Sequence, residues 1–287
     1  MMRVVVTGAA GKIAGQVLPA LRERYDLVLL DVREINREGE RVEGIRIADL
    51  VDRNRDAYRH HFRGADRVVH FGFVRPPKGD NAADANYWAE QANVQMAYNV
   101  MQTAWEEGVG RVVMASSNHA ADYFEDLILD GVWDGVNPAD KALSDNYYGW
   151  AKEVYEHLGF VFACGRMNGT PLENVQIRIG GPREDDIERV EPGDLRRMHR
   201  ALAVYISDRD MQQLFVKSLE HGDIRNEQGI PFQIFYGISG NTHAFWSIVN
   251  ARKVIGYAPQ DNSELRFASQ IAEHLKARAA LASGPEG

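Results

Sequence analysis

The chain alternates between short apolar segments and longer amphipathic stretches along most of its length. Most of the apolar segments are continuous and do not alternate in polarity, which is typical of strands covered on both faces. A parallel sheet between two layers of helices produces this pattern. The predicted strands are residues 3–7, 26–31, 44–49, 67–71, 111–115, 174–179 and 232–238.

Helical patterns are predicted between these strands. In residues 12–24, Ile13, Val17, Leu18 and Leu21 recur at helical spacing. Alternation of strands and helices predicts an α/β fold built on a Rossmann-type doubly wound parallel sheet. The further predicted helices are residues 84–107, 147–163, 207–220 and 263–281.

The regular pattern loosens after Pro182, and residues 182–200 are highly charged and predicted to be irregular. We expect residues 1–180 to form the main domain, and the strand in residues 231–239 to return to its sheet. The remaining segments are too short to be independent domains. We expect a small C-terminal cap, which completes a cleft at the carboxyl ends of the strands, from residues 181–230 and 240–287.

Composition narrows the function classes. The 287 residues are 45% hydrophobic, which allows a large core, and the net charge of -8 argues against a general nucleic-acid binder. A single cysteine excludes an intramolecular disulfide and fits a reducing compartment. We find neither a signal peptide nor a membrane-spanning apolar run, and His60, His61 and His70 lack metal-ligand spacing. These observations predict a soluble cytoplasmic protein without a metal site.

A glycine-rich turn follows the first predicted strand. The sequence T-G-A-A-G-K-I-A-G places Gly8, Gly11 and Gly15 between that strand and a helix. Glycines there let a pyrophosphate approach the first N–H groups of the helix, whose dipole attracts the anion. A turn without a ligand is the alternative, but the strand–turn–helix context favours dinucleotide binding. The candidate contacts are Gly8, Ala10, Gly11, Lys12 and Ile13.

Acidic residues end the second and third predicted strands. Asp31 is placed to accept hydrogen bonds from the adenosine ribose and to repel a 2′-phosphate, which predicts NAD rather than NADP. Arg33 lies nearby. It could weaken the preference for NAD over NADP, or it could simply be a solvated loop arginine. Asp49 and Leu50 are candidates to flank the adenine, although a plain turn aspartate is an equal reading. Further candidate cofactor contacts are Phe71, Gly72, Asn93 and Ile179.

A serine, a tyrosine and a lysine form a candidate acid–base group. Tyr148 and Lys152 are four residues apart and share one face of a predicted helix. A nearby ammonium favours the phenolate of a tyrosine, whose reference pKa is about 10. Ser117, at the end of the fifth predicted strand, could then hold a substrate oxygen while Tyr148 moves a proton and a nicotinamide exchanges a hydride.

Together, T-G-A-A-G-K-I-A-G, S-S-N-H and Y-G-W-A-K resemble the extended short-chain dehydrogenase/reductase superfamily over nearly the whole chain. With R-I-G at 178–180 and G-Y-A-P-Q-D-N at 256–262, S-S-N-H resembles the uronate dehydrogenases and the NAD-dependent glucose-6-phosphate dehydrogenases of halophilic archaea. The resemblance implies NAD-dependent oxidation of the C1 hydroxyl of a small anionic cyclic sugar to a lactone. The main domain would then bind NAD and the cap the substrate.

The resemblance also assigns substrate contacts. It implies that Ser117 binds the reacting oxygen and that Asn118 and His119 bind other sugar oxygens, although a capping or core histidine is an open alternative. Arg75 and Gly181 stand where the uronate enzymes carry serines, so uronate itself is in doubt.

Arginines supply the candidate anion site. Arg200 stands at the position of the family's carboxylate-binding arginine, and Arg75 and Arg197 could complete an anion clamp. The alternative is that the charges of residues 183–200 neutralise one another on a solvated loop.

Two other functions share these motifs. A nucleotide-sugar epimerase or dehydratase uses the same glycine turn and Tyr/Lys pair but needs more protein around its nucleotide. A protein that binds NAD without turnover would not need the Tyr/Lys pair, which is present. The resemblance also implies a homo-oligomer, a dimer or larger, formed through the helices predicted at 84–107 and 147–163.

Overall fold

The computed structural model describes residues 1–77 and 82–283. Seven strands form one parallel sheet in the order β3-β2-β1-β4-β5-β6-β7, which confirms the predicted doubly wound fold. Every predicted strand is found with small shifts at its ends. The strands are β1 (Arg3–Thr7), β2 (Asp26–Asp31), β3 (Ile45–Ile47), β4 (Arg67–His70), β5 (Arg111–Ser117), β6 (Glu173–Ile179) and β7 (Phe232–Gly237).

Helices cover both faces of the sheet. Two of them, α1 and α6, pack together on one face, and α2 packs against α4 on the other. The helices are α1 (Lys12–Arg22), α2 (Ala82–Glu106), α3 (Tyr123–Leu129), α4 (Tyr147–Cys164), α5 (Leu195–Val204), α6 (Asp208–Glu220), α7 (Val249–Ile255), α8 (Ser263–Arg266) and α9 (Ala268–Ser283). Short 3₁₀ helices occur at residues 55–57, 59–61, 118–121 and 187–189.

The first strand shows how the sequence pattern builds two cores. Side chains alternate across a strand, so Val4 and Val6 point to the α1 and α6 side while Val5 points to the α2 and α4 side. All three are fully buried. A continuous apolar run is therefore what a strand between two helix layers requires.

The C-terminal region corrects two expectations. Residues 182–200 are not irregular throughout, because α5 begins at Leu195 after Asp194, whose side chain accepts a hydrogen bond from the backbone N–H of Arg197. The helix predicted at 263–281 is two helices, α8 and α9, separated at Phe267, which packs into a small third core with Leu202. Our division into a main domain and a cap remains a proposal.

Parallel strands bring all their carboxyl ends to one edge of the sheet. The chain order reverses between β1 and β4, and a crevice opens there. Among residues 1–77 and 82–283, no helix has both the length and the hydropathy that crossing a bilayer requires.

Candidate active site

A cleft of about 770 Å³ lies along the carboxyl ends of the strands. It brings together most of the candidate residues from distant parts of the sequence, including the glycine turn, the acidic strand ends, and the Ser/Tyr/Lys group. The candidates that line it are Gly8, Gly11, Lys12, Ile13, Asp31, Asp49, Leu50, Phe71, Gly72, Arg75, Ser117, Asn118, His119, Tyr148, Lys152, Ile179, Gly181 and Arg200.

The glycine turn is a cradle that side chains would fill. Gly8 has φ +69°, and a Cβ there would lie 2.5 Å from the backbone nitrogen of Gly72. A Cβ at Gly11, the residue that precedes α1, would lie 3.0 Å from the carbonyl oxygen of Gly8. Gly15 is exposed with open space around it, so nothing in the fold requires a glycine there.

The carboxylate of Asp31 is fixed at the far end of the glycine turn. It accepts hydrogen bonds from the backbone N–H of Ala10 at 2.9 Å and from that of Arg33 at 3.2 Å. Ala10 is buried and lies outside the cleft lining, where its backbone N–H supports Asp31, and its contact with the cofactor stays a prediction. A cradle of glycines beside a held carboxylate fits the pyrophosphate and ribose of NAD.

Lys152 lies beside Tyr148 at the centre of the cleft. Its Nζ donates to the carbonyl oxygen of Ala115 at 2.9 Å and lies 5.3 Å from the ring centroid of Tyr148 and 4.9 Å from that of Tyr155. Burial opposes the charge, but the neighbouring phenol groups outweigh it and hold the pKa of Lys152 above its usual value. Lys152 is therefore an ammonium at neutral pH.

The ring of Tyr148 is positioned by two aromatic neighbours. Its centroid lies 5.5 Å from that of Phe73 and 5.6 Å from that of His119, both in edge-to-face geometry. His119 Nδ1 is hydrogen bonded to Asp122 at 2.7 Å. Burial alone would raise the pKa of Asp122. Its hydrogen bonds, chiefly the one from His119, have the larger opposite effect and bring the pKa below its usual value, so Asp122 stays a carboxylate. The sequence reading missed Asp122.

Backbone packing joins the helix of Tyr148 to the end of β5. A Cβ at Gly149 would lie 2.0 Å from the carbonyl oxygen of His119. The first turn of α4 therefore rests directly on the main chain of the 3₁₀ helix that follows Ser117. Asn146 caps this turn by accepting a hydrogen bond from the backbone N–H of Gly149.

A buried ion pair between Glu156 and Arg178 contacts the carboxyl end of β5 through Ser116. Ser116 Oγ donates to Glu156 Oε1 at 2.6 Å, and Arg178 donates to both oxygens of Glu156 at 2.9 and 2.8 Å. Arg178 also donates to the hydroxyl of Tyr236 at 2.7 Å. These side chains are nearly inaccessible to solvent. The network fixes the strand end that presents Ser117.

Two basic candidates in the charged segment differ in position. Arg200 lines the cleft and donates from Nε to Glu125 Oε2 at 2.9 Å. Arg197 does not line the cleft: its side chain is 76% exposed and lies 3.7 Å from Asp194. The structure therefore does not bring Arg197 into the cleft with Arg75 and Arg200. Within the described residues, no carboxylate forms an ion pair with Arg75.

Asn93 supports the cleft from behind. It lies outside the lining, where its Oδ1 accepts from the backbone N–H of Val74 at 2.7 Å and its Nδ2 donates to the carbonyl of Val74 at 3.0 Å. It therefore fixes the loop that carries Phe73 and Arg75, and its contact with the cofactor stays a prediction. Its neighbour Glu90 is buried, which raises the pKa of that carboxyl.

A buried histidine lies under the glycine turn. His70 Nδ1 is hydrogen bonded to Thr7 Oγ1 at 2.6 Å, and burial, with a smaller effect of the Lys152 charge, lowers the pKa of His70 to about 3. It is neutral at physiological pH. In the part of the chain that the structure describes, no three His, Cys, Asp or Glu side chains could share a metal ion.

Fold and site define a class of protein. A glycine cradle with an acidic strand end, next to a tyrosine and a charged lysine, is the arrangement of a Rossmann-type dehydrogenase. The chain belongs to the NAD dependent epimerase/dehydratase family, whose model matches residues 4–158. The predicted family, the cofactor NAD and the enzyme class, an NAD-dependent oxidoreductase, are confirmed by this match and by the named relatives below.

Three relatives are named as sugar dehydrogenases. L-arabinose 1-dehydrogenase (NAD(P)(+)) of Haloferax volcanii is 29% identical, over 92% of this chain and 98% of the relative. Uronate dehydrogenase of Pseudomonas syringae pv. tomato is 27% identical, over 99% and 95%. NAD-dependent glucose-6-phosphate dehydrogenase of Haloferax volcanii is 29% identical, over 91% and 94%. Among solved structures, uronate dehydrogenase from Agrobacterium tumefaciens has a TM-score of 0.71 at 25% identity, covering 95% of this chain and 89% of that one.

Proposed function

We propose that this enzyme oxidises the anomeric C1 hydroxyl of a small anionic cyclic sugar, a uronate or a sugar phosphate, to a lactone with NAD. The observation that carries the proposal is the position of Lys152 beside Tyr148 in the cleft that also holds Ser117 and the glycine turn. The relatives named above act on arabinose, uronate and glucose 6-phosphate, which supports a small sugar as the substrate class.

The residues of the cleft account for the proton in this reaction. Oxidation breaks the C1–H and O–H bonds of the sugar and forms a carbonyl, and NAD supplies the hydride acceptor when it is bound. Ser117 donates a hydrogen bond to the reacting oxygen, and Tyr148, as phenolate, takes its proton. The Lys152 ammonium stabilises the phenolate that this requires. The buried Glu156–Arg178 pair keeps the end of β5, and so Ser117, in place.

A panel of sugars tests the proposal directly. We expect reduction of NAD, followed by NADH absorbance, with uronates or sugar phosphates and formation of the lactone. Absence of NADH formation with every uronate, sugar phosphate and uncharged aldose would contradict it. Protein that retains NAD through purification and isomerises a nucleotide sugar without net NADH formation would instead indicate the epimerase reading.

Arg75 is expected to bind the anionic group of the sugar. Its side chain is exposed and lines the cleft. Replacing Arg75 with Gln should lower kcat/KM for anionic sugars about tenfold or more, because a charge-assisted hydrogen bond contributes roughly 1.5–3 kcal/mol. Uncharged aldoses should be affected little. Steady-state kinetics on both classes measures the difference, and an equal loss on both would contradict this role.

Asp31 is expected to select NAD over NADP. In the Asp31→Asn variant the amide oxygen can still accept from Ala10, but the negative charge that repels a 2′-phosphate is gone. We expect NADH to bind about tenfold more weakly and NADPH more tightly, because a charged hydrogen bond to the ribose is lost. Fluorescence titration with both nucleotides measures this, and the control is Asp26→Asn at the exposed opposite end of β2, which should change neither affinity. Unchanged discrimination in Asp31→Asn would contradict it.

We also propose a cytoplasmic homo-oligomer formed through α2 and α4. These helices pack together and expose Trp88, Tyr98, Tyr147 and Val161. Analytical ultracentrifugation would give the number of subunits, and a monomer at all concentrations would contradict this proposal.

A further inference from the structure

A carboxylate behind the cleft holds two of the residues that line it. Glu125 lies in the first turn of α3, and its side chain is 14% exposed. Its Oε2 accepts from Arg200 Nε at 2.9 Å, and its Oε1 accepts from Arg200 Nη2 at 3.4 Å and from Asn118 Nδ2 at 3.0 Å. Arg200 and Asn118 line the cleft, whereas Glu125 does not.

This carboxylate reduces the positive charge that Arg200 presents to a substrate. An ion pair with limited exposure is screened less by water and salt than a pair on the open surface. Arg200 is 33% exposed on the cleft side and is held by two hydrogen bonds from its guanidinium to one carboxylate. A sugar at this wall therefore meets a neutral pair with free N–H donors.

The same carboxylate sets the orientation of the Asn118 amide. Because Nδ2 donates to Glu125, Oδ1 is turned the other way and lies 3.5 Å from Ser117 Oγ. Asn118 therefore presents an acceptor beside Ser117. An acceptor suits a sugar hydroxyl and disfavours the charged oxygens of a carboxylate or phosphate, which only accept hydrogen bonds.

We propose that Glu125 is a specificity-determining residue that neutralises Arg200 and orients Asn118, so that this wall of the cleft binds uncharged sugar hydroxyls. The proposal rests on the proposed sugar oxidation and deepens it. Arg75 is then the residue that recognises an anionic group. Uncharged aldoses lose less affinity, relative to anionic sugars, than they would in a cleft with two unpaired arginines. Removal of the Glu125 charge should turn this wall into an anion site.

Binding to the enzyme–NADH complex tests this without turnover, because a reduced nicotinamide cannot accept a hydride. The probes are D-galacturonate and D-galactose, which differ at C6 in a carboxylate against a hydroxyl. In Glu125→Gln, the amide oxygen can still accept from Asn118 while the charge of Arg200 is freed. We expect galacturonate to bind about tenfold more tightly than to the native enzyme, equivalent to 1.4 kcal/mol, and galactose to change little.

Asp126→Asn is the matched control. It removes one negative charge from the next position of α3, but Asp126 pairs with Arg196 at 2.7 Å and is largely exposed. We expect it to leave both dissociation constants unchanged. A Glu125→Gln variant that is folded by circular dichroism and binds both sugars equally more weakly, or with an unchanged ratio, would overturn the proposal and leave Glu125 a structural residue.

A second probe separates this outcome from failure of the proposed function. Inorganic phosphate is titrated into the same complexes, and Glu125→Gln is expected to bind it about tenfold more tightly than the native enzyme does. Equal phosphate affinity would overturn the role of Glu125 whether or not either sugar binds. A native enzyme that binds neither sugar, together with tighter phosphate binding by the variant, would support Glu125 and count against sugar oxidation.

Discussion

Replacing Tyr148 with Phe is expected to lower kcat by about 10³-fold, since a positioned acid or base contributes roughly 10²–10⁴ in rate. The variant keeps the ring between Phe73 and His119 and loses only the hydroxyl, to which we assign the proton transfer. Lys152 retains its bond to the carbonyl of Ala115, so the rest of the cleft should be preserved. NADH should therefore bind with nearly native affinity.

Single-turnover kinetics with a substrate from the sugar panel measures the loss, and NADH fluorescence measures binding. The matched control is Tyr147→Phe, which removes a hydroxyl from the preceding residue of the same helix, whose side chain is exposed and meets Tyr87. We expect this control to be nearly fully active. A Tyr148→Phe enzyme that turns over at the native rate would contradict the assignment of Tyr148 as the acid–base residue.

Replacing Glu156 with Gln is expected to lower the free energy of unfolding by about 3–5 kcal/mol, because it leaves a buried charge without its partner. Arg178 donates two hydrogen bonds to Glu156 inside the protein. Burial alone would lower the pKa of Arg178, but the Glu156 carboxylate raises it above its usual value. A guanidinium is not deprotonated at ordinary pH even without a partner, so Arg178 stays charged when the carboxylate is removed and its desolvation is no longer offset.

Urea denaturation and the melting temperature measure this effect, and the melting temperature should fall by roughly 10 °C. The control is Asp223→Asn, which breaks an ion pair with Arg225 on the open surface. It should leave the melting temperature nearly unchanged, because water screens exposed pairs. If the two variants had the same melting temperature, burial of the Glu156–Arg178 pair would have no effect on stability, which would contradict our expectation.

The sheet and the glycine turn were predictable because their signals are local. Continuous apolar runs mark strands covered on two faces, and Gly8 and Gly11 follow directly on one of them. The spacing of Tyr148 and Lys152 also fixes their shared helix face within one turn. Each of these predictions depends on residues within a few positions of one another.

The partners of charged side chains were not predictable in the same way. Glu125 and Arg200 meet across 75 positions, and Ser116 and Glu156 across 40. A single sequence shows that such residues are charged or polar but not which of them meet after folding. The Glu125 and Glu156 carboxylates were therefore missed, although they hold Arg200 and Ser116. Asp122 lies only three positions from His119 and was missed because the 3₁₀ helix at residues 118–121 was not predicted.

The charged segment shows why α5 was missed. Its acidic and basic residues read as a solvated loop, yet Met198 and Leu202, four positions apart, are buried on one face of a helix. The same helix also explains why two arginines of this segment differ in their position relative to the cleft. Arg197 and Arg200 are about one helical turn apart, but Arg197 lies in the first turn next to Asp194 and is largely exposed, whereas Arg200, one turn further along α5, lines the cleft.

The missing side chain at Gly149 limits how the enzyme can adapt. The backbone of α4 at Gly149 contacts the backbone of the turn after β5 directly. The distance between Tyr148 and Ser117 is therefore set by the backbone, because no side chain lies between these two segments. A larger group at the reacting carbon cannot be admitted by trimming a residue there. Divergence toward new substrates must instead occur elsewhere in the cleft, as in the segment bearing Arg75, where length and charge can change without moving the contact between α4 and the turn after β5.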